Sequence, residues 1–403
     1  MRIVYLHQHF RTPSQNGGVR SFQFASALAA RGHDVQVVTS SSGPRGPRLE
    51  RIEGFTVHRL PVDYDGRMSY RRRLAAFAAF AVRSSTVARR LKADVVIATS
   101  TPLTIAIPGI VASFGRRCPM VFEVRDAWPD VPIALGALTN PLLKGAARLL
   151  ERVAYRRAST VVALSADMAE AVVRAGKPRD RVAVVTNIAD VAAFDPARAE
   201  SERWLADHPE LIGRKLAVYC GTFGYVNGLS FLVDLATASR AQGSDLAFVA
   251  IGDGPEKDAV RARALASGVL GDNLHLFEPV SKRQLPDVLA AATVAFSFVI
   301  DVPELEANSA NKFFDSLAAQ TPMVINHGGW QAEVLAETGA GLRLSRDAAL
   351  AARQLGDFVG DEAGVAAAIR SAAELGRGRY SLDELAWRFC DIVERDGTAA
   401  GRA

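Results

Sequence analysis

Short apolar runs alternate with longer stretches of helical pattern along nearly the whole chain. Runs this rich in Val, Ile and Phe are typical of strands covered on both faces, as in a parallel sheet enclosed by helices. The alternation stops at a polar stretch around residues 195–214 and then begins again. The sequence therefore predicts two doubly wound α/β domains that meet near residues 190–212. The predicted strands lie at residues 3–7, 35–39, 95–99, 121–124, 161–164 and 182–185, and then at 216–220, 246–252, 274–277, 294–299, 322–326 and 341–344.

The composition is that of ordinary globular domains. The 403 residues are 49% hydrophobic and 23% charged, which argues against a disordered or fibrous chain. The longest purely apolar run, residues 74–82, is far shorter than the roughly 18 residues of a membrane span. Residues 1–10 contain no leader-type hydrophobic region, so we expect a cytoplasmic protein. The three cysteines are far apart and no histidines cluster, so the sequence predicts neither disulfides nor a metal site.

Positive charge is concentrated in one segment. Residues 67–92 contain eight basic residues and no acidic one, whereas the whole chain has a formal charge of +5, so the remaining residues sum to −3. This distribution disfavours a nucleic-acid-binding surface and favours a local anionic partner. The segment also has the pattern of an amphipathic helix over 70–91, which is typical of helices at an anionic membrane surface. A helix packed on the sheet with a solvated basic face explains the pattern equally well, and the two interpretations are compatible.

Several glycines follow predicted strands, where α/β sheets bind their ligands. Gly17 and Gly18 precede a helical stretch, and Gly252 and Gly254 follow a strand of the second half. Glycines at such positions let the backbone approach a phosphate, although a simple turn explains Gly17 and Gly18 equally well. The spacing does not match GxGxxG, so the sequence does not predict a dinucleotide site.

A second phosphate-binding candidate is the helix predicted to begin near Ala310. Asn308 or Ser309 can cap it, and Lys312 places a cation at its amino end, where the helix dipole disfavours positive charge. A bound anion would compensate for that cost. One turn later, Asp315 could accept hydrogen bonds from ribose hydroxyls.

These features resemble glycosyltransferase family 4, retaining enzymes of the GT-B fold. The resemblance depends on the glycine pair and on the segments RGHDVQVVT (31–39), IGDGPE (251–256), LPDVLAAATVAF (285–296) and KFFDSLAAQTPMVIN (312–326). EVRDAWP (123–129) and NSANKFFD (308–315) are similar to the bacterial enzymes of polysaccharide and O-antigen assembly. The resemblance implies two Rossmann-like domains facing a cleft. It also implies an acceptor-side domain over 1–195, a nucleotide-sugar-binding domain over 196–380, and a helix within 381–403 that returns to the first.

The resemblance also implies the site residues. The catalytic candidates are Arg125, Asp126, Lys312 and Glu306. The donor-binding candidates are Gly17, Gly18, Thr222, Gly254, Val280, Ser309, Asn311, Lys312 and Asp315. The candidates for the acceptor or membrane side are Arg20, Arg71, Arg72 and Arg73.

Three features of the sequence depart from the family pattern. Of the two glutamates that the family usually carries, the second corresponds to Asp315 and the first to Ala307, with Glu306 one residue away. The usual Arg and Lys near the diphosphate correspond to Thr222 and Asn227, so we expect Lys312 and the helix amino end to meet more of the phosphate charge. The usual His-Asp pair at the donor sugar is Arg125-Asp126 here, which a structural ion pair would also explain.

The expected function is transfer of a sugar, which the subgroup resemblance implies is an N-acetylhexosamine or a deoxy derivative, from a UDP-sugar to a glycan or lipid-linked acceptor. The expected enzyme needs no cofactor or metal, and acts in the cytoplasm or peripherally at the inner face of the cell membrane through residues 67–92. Retention of anomeric configuration follows from the resemblance. Two alternatives stay open: a nucleotide-sugar 2-epimerase of the same fold, and an inactive binding or scaffold subunit.

Overall fold

The computed structural model describes residues 1–41, 48–65, 68–115, 118–126 and 128–402. Two residues that the sequence analysis used, Arg67 of the basic segment and Ala127 of the EVRDAWP motif, lie outside the described residues.

The amino-terminal domain is built on one sheet. Within the described residues its eight strands have the order β3-β4-β2-β1-β5-β6-β7-β8, and all neighbours are parallel except β3 and β4. The strands are β1 (Arg2–Leu6), β2 (Asp34–Ser40), β3 (Leu49–Ile52), β4 (Phe55–Leu60), β5 (Val95–Thr99), β6 (Met120–Val124), β7 (Thr160–Ala163) and β8 (Val182–Val184). The helices between them are α1 (Arg20–Ala30), α2 (Tyr70–Arg90), α3 (Ala106–Ser113), α4 (Asp130–Ala134), α5 (Pro141–Arg157) and α6 (Ala166–Arg174).

The carboxy-terminal domain repeats this plan with six parallel strands in the order β11-β10-β9-β12-β13-β14 in the described chain. The strands are β9 (Leu216–Cys220), β10 (Ala247–Ile251), β11 (Leu274–Phe277), β12 (Val294–Ser297), β13 (Met323–Ile325) and β14 (Gly341–Arg343). The helices are α7 (Ser201–Ala206), α8 (Ser230–Ala241), α9 (Lys257–Ala266), α10 (Leu285–Ala291), α11 (Asn311–Ala318), α12 (Trp330–Thr338), α13 (Ala348–Gly360) and α14 (Glu362–Arg377).

The last helix, α15 (Leu382–Arg402), returns to the amino-terminal domain. Leu385, Phe389 and Val393 join the hydrophobic core on the α1 side of the first sheet. The rings of Phe389 and Phe24 stack with their centroids 4.3 Å apart. The fold class expected from the sequence, two doubly wound domains with a returning helix, is therefore confirmed.

The antiparallel pair β3 and β4 was not predicted from the sequence. Glu53 and Gly54 connect the two strands, and both have positive φ, 42° and 87°. A two-residue hairpin turn requires this conformation, because it matches the twist of the strands. Residues of β3 are exposed or half-buried, so the strand has no continuous apolar run by which a sequence analysis could detect it.

The basic helix α2 packs on the first sheet. Phe77, Phe80 and Ala81 are buried, whereas Arg71 and Arg72 are exposed. This arrangement matches the sheet-packed interpretation of the amphipathic pattern, with Arg71 and Arg72 on the solvent side. Among the described residues, no helix combines the length and the apolar character that crossing a bilayer would require.

Candidate active site

The two domains face each other across a cleft that contains two adjoining cavities. The first has a volume of about 450 Å³ and the second about 380 Å³. Arg11, Gly17, Gly18 and Asn311 line both cavities, so these residues form the waist between them. The walls come from loops at the carboxyl ends of parallel strands, the position at which α/β sheets place their ligands.

The floor of the first cavity is formed by two glycine loops in close contact. A Cβ at Gly254 would lie 2.4 Å from the carbonyl oxygen of Phe223, and one at Gly252 would lie 1.9 Å from that of Gly221. The amide of Phe223 donates to Asp253 O at 2.9 Å across the same contact. Only glycine permits this approach. The loops after β9 and β10 are thereby held together beneath the cavity.

Lys312 projects into the first cavity from the start of α11. Its Nζ donates to Asn227 Oδ1 at 3.0 Å and lies 3.3 Å from the hydroxyl oxygen of Tyr219 and 4.6 Å from the centre of that ring. Burial lowers the pKa of Lys312 to about 8. Within the described residues no carboxylate forms a salt bridge with this ammonium group. Its environment is therefore suited to an anionic ligand.

A second lysine, which the sequence analysis missed, enters the same cavity after β11. Lys282 Nζ is 2.5 Å from Asp315 Oδ1, and both side chains are nearly buried, with 11% and 12% exposed. Burial raises the pKa of Asp315 and the nearby Lys282 opposes that shift. The predicted ribose-binding carboxylate is therefore inside the cavity, held in place by a cation. The sequence signal that could have identified Lys282 is its position in a loop that follows a predicted strand.

The waist brings the glycine pair of one domain against the helix of the other. A Cβ on Gly18 would lie 2.3 Å from Asn311 Nδ2. Nearby, the amide of Lys282 donates to Gln15 O at 3.1 Å, which joins the loops of the two domains directly. Arg11, also missed from the sequence, adds a partly buried guanidinium at this point. Burial, together with the nearby charge of Arg59, lowers its pKa.

The second cavity is lined by Arg125, Asp126, His7 and His9. An Nη atom of Arg125 lies 3.4 Å from His7 Nε2, and Thr101 Oγ1 donates a hydrogen bond to Asp126. Burial is the main cause that lowers the pKa of His7 well below its usual value and that of His9 to about 4. Burial also raises the pKa of Asp126. Both imidazoles are therefore neutral at pH 7, and each can donate a hydrogen bond to one hydroxyl group and accept a hydrogen bond from another.

Three buried polar atoms at this cavity have no hydrogen-bond partner in the described structure: His7 Nδ1, Asn187 Oδ1 and Ser309 Oγ. Buried polar atoms in folded proteins are nearly always paired. All three belong to residues that line the second cavity, which gives that cavity a polar wall. Asn187 also donates to Ser309 O at 2.6 Å, which orients both residues across the domain boundary.

Helix α11 differs from the prediction in its cap. Its N-cap is Ala310, and neither Asn308 nor Ser309 caps it through a side chain. The amide of Phe313 donates to Ala310 O at 3.2 Å, so the uncapped amides are those of Asn311 and Lys312, which favours an anion beside these two residues. Of the remaining donor candidates, Thr222, Gly254 and Val280 belong to the loops around the first cavity, and Thr222 and Val280 line it.

Two of the predicted site residues lie elsewhere. Arg20 is 1% exposed, and its guanidinium lies 2.8 Å from Glu123 Oε1 and donates to Val185 O. It therefore cannot meet an acceptor or a membrane, and that prediction is wrong. Glu306 does not line either cavity, and its carboxylate accepts a hydrogen bond from the amide of Gly328 at 3.1 Å. The geometry therefore does not support a catalytic Glu306.

The arginines of α2 do not line either cavity. Arg71 and Arg72 are exposed and Arg73 is half-buried on the outer surface of the domain. In the described part of the chain, no group of three or more His, Cys, Asp or Glu residues is arranged to hold a metal ion.

The structure therefore places a cationic, glycine-walled cavity beside a second polar cavity in the cleft between two α/β domains. Two family models match the chain: a "Glycosyl transferase 4-like domain" over residues 17–187 and "Glycosyl transferases group 1" over residues 214–361. The chain belongs to the glycosyltransferases with a family 4-like amino-terminal domain and a group 1 carboxy-terminal domain. Comparison with curated protein sequences gives no significant match.

Solved structures confirm the GT-B fold over nearly the full length. Sucrose-phosphate synthase from Thermosynechococcus elongatus has a TM-score of 0.77 at 15% identity, with 99% of each chain covered. HepE from Anabaena, in complex with UDP and glucose, has a TM-score of 0.72 at 16% identity and covers 98% of this chain and 100% of its own. WaaG, a glycosyltransferase of lipopolysaccharide biosynthesis, has a TM-score of 0.68 at 17% identity and covers 97% and 99%. The epimerase and scaffold alternatives gain no support.

Proposed function

We propose that this glycosyltransferase moves a sugar from a UDP-sugar to a glycan or lipid-linked acceptor in cell-surface polysaccharide assembly. The observation that carries the proposal is the pair of cavities joined at Gly17, Gly18 and Asn311. The first cavity has cations and free helix amides suited to a diphosphate, and the second has neutral polar groups suited to sugar hydroxyls. A UDP-sugar that spans the waist would place its reacting carbon between them. The complex of HepE with UDP and glucose supports this choice of nucleotide.

We propose that the two domains bind different substrates. Residues 1–195 form the acceptor side, residues 196–380 bind the donor, and residues within 381–403 return to the first domain. We propose that the donor sugar is an N-acetylhexosamine or a deoxy derivative, as the resemblance of EVRDAWP and NSANKFFD to polysaccharide enzymes implies.

We propose a retaining, metal-independent reaction at the waist. The bond between the anomeric carbon and the β-phosphate oxygen breaks while the acceptor oxygen bonds the same carbon on the same face. The acceptor proton passes to the departing phosphate oxygen. Lys312 and the first amides of α11 stabilise the negative charge that develops on the diphosphate, since preorganised donors act strongly in a site that excludes water.

Arg125 and Asp126 are the proposed contacts to the donor sugar. Both line the second cavity, and Thr101 orients the Asp126 carboxyl. Asp126→Asn keeps the shape of the side chain but replaces one carboxyl oxygen by an amide NH2 group. We expect it to lower kcat more than it weakens UDP binding, because UDP occupies the other cavity.

We propose that the enzyme acts in the cytoplasm, peripherally at the inner face of the membrane. The exposed basic face of α2, within residues 67–92, would meet anionic headgroups there, at about 1 kcal/mol for each basic residue near the surface.

A thermal-shift panel of UDP, GDP, ADP, UDP-N-acetylglucosamine, UDP-glucose and NAD tests the donor site. A ligand at 100 times its Kd adds about 2.7 kcal/mol to the free energy of unfolding. We expect a selective shift with uridine nucleotides, followed by UDP release when lipid-linked acceptors are added. A shift with NAD alone, or with none of these ligands, would refute the proposal.

A further inference from the structure

Helix α5 has an amino-terminal half that the protein core does not cover. Seven of its first nine residues, 141–149, are exposed, and the other two are half-buried. Leu142, Leu143 and Leu149 have exposed fractions of 81%, 47% and 63%. Further along the helix, Ala154 and Tyr155 are buried in the core on the sheet. Core packing therefore anchors one end of α5 and leaves its apolar amino-terminal end in water.

The exposed part of α5 is amphipathic. Leu142 and Leu149 are seven residues apart and so lie on one face of the helix. Arg148, Arg152 and Arg156 follow one another at four-residue intervals along a neighbouring face, and all three are exposed. An apolar stripe beside a basic stripe is the pattern of helices that lie in a membrane interface.

The neighbouring helices extend this surface. Phe114, which follows α3, is 60% exposed, and the guanidinium carbon of Arg157 lies 5.9 Å from its ring centre. Arg89 at the end of α2 donates to the carbonyl oxygens of Val111 and Phe114, so α2, α3 and α5 present one continuous layer. The sequence of α2 contains no acidic residue and that of α5 contains one, Glu151. Burial raises the pKa of Glu151 to about 7, which reduces its negative charge.

The position of α2 and α5 in the fold determines which edge of the sheet this layer adjoins. In a parallel α/β domain each helix begins at the carboxyl edge of the sheet. The amino-terminal ends of α2 and α5 therefore lie at the same edge as Arg125 and Asp126, which follow β6. A flat partner that covers Leu142 and Arg71 at this edge would lie beside the second cavity.

We propose that α5 docks the enzyme onto an anionic lipid bilayer, with Leu142 and Leu149 entering the boundary of the hydrocarbon and the basic side chains facing the headgroups. The choice of a bilayer rests on the proposed lipid-linked acceptor and on charge complementarity, since the layer is strongly basic. In this arrangement α5 inserts, while α2, whose phenylalanines are buried, contributes charge.

Sedimentation of the full chain with vesicles tests the proposal. One set of vesicles is phosphatidylcholine and the other is an equal mixture of phosphatidylcholine and phosphatidylglycerol. We expect the full chain to bind the mixed vesicles. We expect the double variant L142S/L149S to lower the partition coefficient at least about tenfold, because the two leucine side chains that would transfer from water into the bilayer are gone. High salt should weaken the binding of both proteins without closing the gap between them.

The matched control is Leu265→Ser, since Leu265 is 68% exposed on α9 of the other domain. It should bind like the unchanged chain. Equal binding of L142S/L149S and the unchanged chain, or no binding to mixed vesicles, would overturn the proposal. So would a dimer in solution that L142S/L149S dissociates, because the leucines would then meet a second copy. The assay contains no nucleotide, so a failure of the donor site would leave its result unchanged.

Discussion

Lys312 makes the affinity for a diphosphate depend on pH in a defined way. Its ammonium group lies in the first cavity without a carboxylate partner among the described residues, and burial lowers its pKa to about 8. A diphosphate beside it favours the charged form, so binding raises the pKa of Lys312. By linkage, UDP then binds most tightly at pH values below about 8, where the ammonium group is already charged.

The size of this pH effect on UDP binding follows from the pKa of Lys312 in the free chain and its pKa in the UDP complex. If the pKa of Lys312 in the UDP complex returns to near its ordinary range, about 10.4, the Kd for UDP rises about tenfold between pH 7 and pH 9. This change corresponds to about 1.4 kcal/mol of binding free energy. The terminal phosphate of UDP, with a pKa of about 6, is already fully charged in this range and adds little.

The unliganded chain should show the opposite trend. A folded-state pKa below the unfolded value means that the unfolded chain binds the proton more tightly. The contribution of Lys312 to stability therefore increases as the pH rises from about 8 towards the unfolded pKa, 10.5. Thermal unfolding without ligand, compared with that of Lys312→Met, measures this contribution.

Isothermal titration of UDP between pH 7 and pH 9 measures the binding effect. Lys312→Met should weaken binding at pH 7 and remove most of the pH dependence, whereas Lys257→Met, which breaks a surface pair with Glu278, should keep it. A Kd for the unchanged chain that stays constant up to pH 9, or a Lys312→Met chain with the same pH dependence, would refute the reasoning.

Three further substitutions test the packing around the site. Gly254→Ala should destabilise the chain by about 1–3 kcal/mol and weaken UDP binding in thermal-shift assays, because the added methyl group meets a backbone carbonyl; unchanged stability would contradict the close contact of the glycine loops. Arg20→Met should cost about 3–5 kcal/mol in denaturant unfolding, since it leaves the carboxylate of Glu123 buried and unpaired, and adding Glu123→Gln should restore part of that loss; additive losses would argue against the ion pair. Asp315→Asn should weaken UDP binding at least about tenfold, because Lys282 loses its charged partner and the proposed contact to the ribose is weakened; an unchanged Kd would remove Asp315 from the nucleotide site.

The sequence predicted the architecture because buried parallel strands are read from local patterns. Most strands of the two sheets are short apolar runs, and each crossover between parallel strands needs a helix. The β3–β4 hairpin lacked that signal, since its strands are partly exposed and its turn is Glu53-Gly54. Helix α15 spans Leu382–Arg402, inside the residues 381–403 for which the resemblance implied a returning helix.

The site was predicted in part. Lys312, Asp315 and the glycine pair were identified because their position after strands or at a helix start carries chemical meaning. Arg20 was misplaced because an arginine near a glycine loop has the same sequence pattern whether it faces solvent or a buried carboxylate. Its partner, Glu123, is more than a hundred residues away in the chain.

The sequence by itself determined the two α/β units and the loops that carry the chemistry, since strands, helix starts and glycine turns are local properties of the chain. The tertiary structure decided which charged side chains have a partner of opposite charge. Lys282 pairs with Asp315, Arg20 pairs with Glu123, and Lys312 has no carboxylate partner among the described residues. It also decided that Phe77 and Phe80 of α2 are buried, while Leu142 and Leu149 of α5 are left exposed. Charge pairing and burial depend on contacts between residues distant in sequence, and only the folded chain brings those residues together.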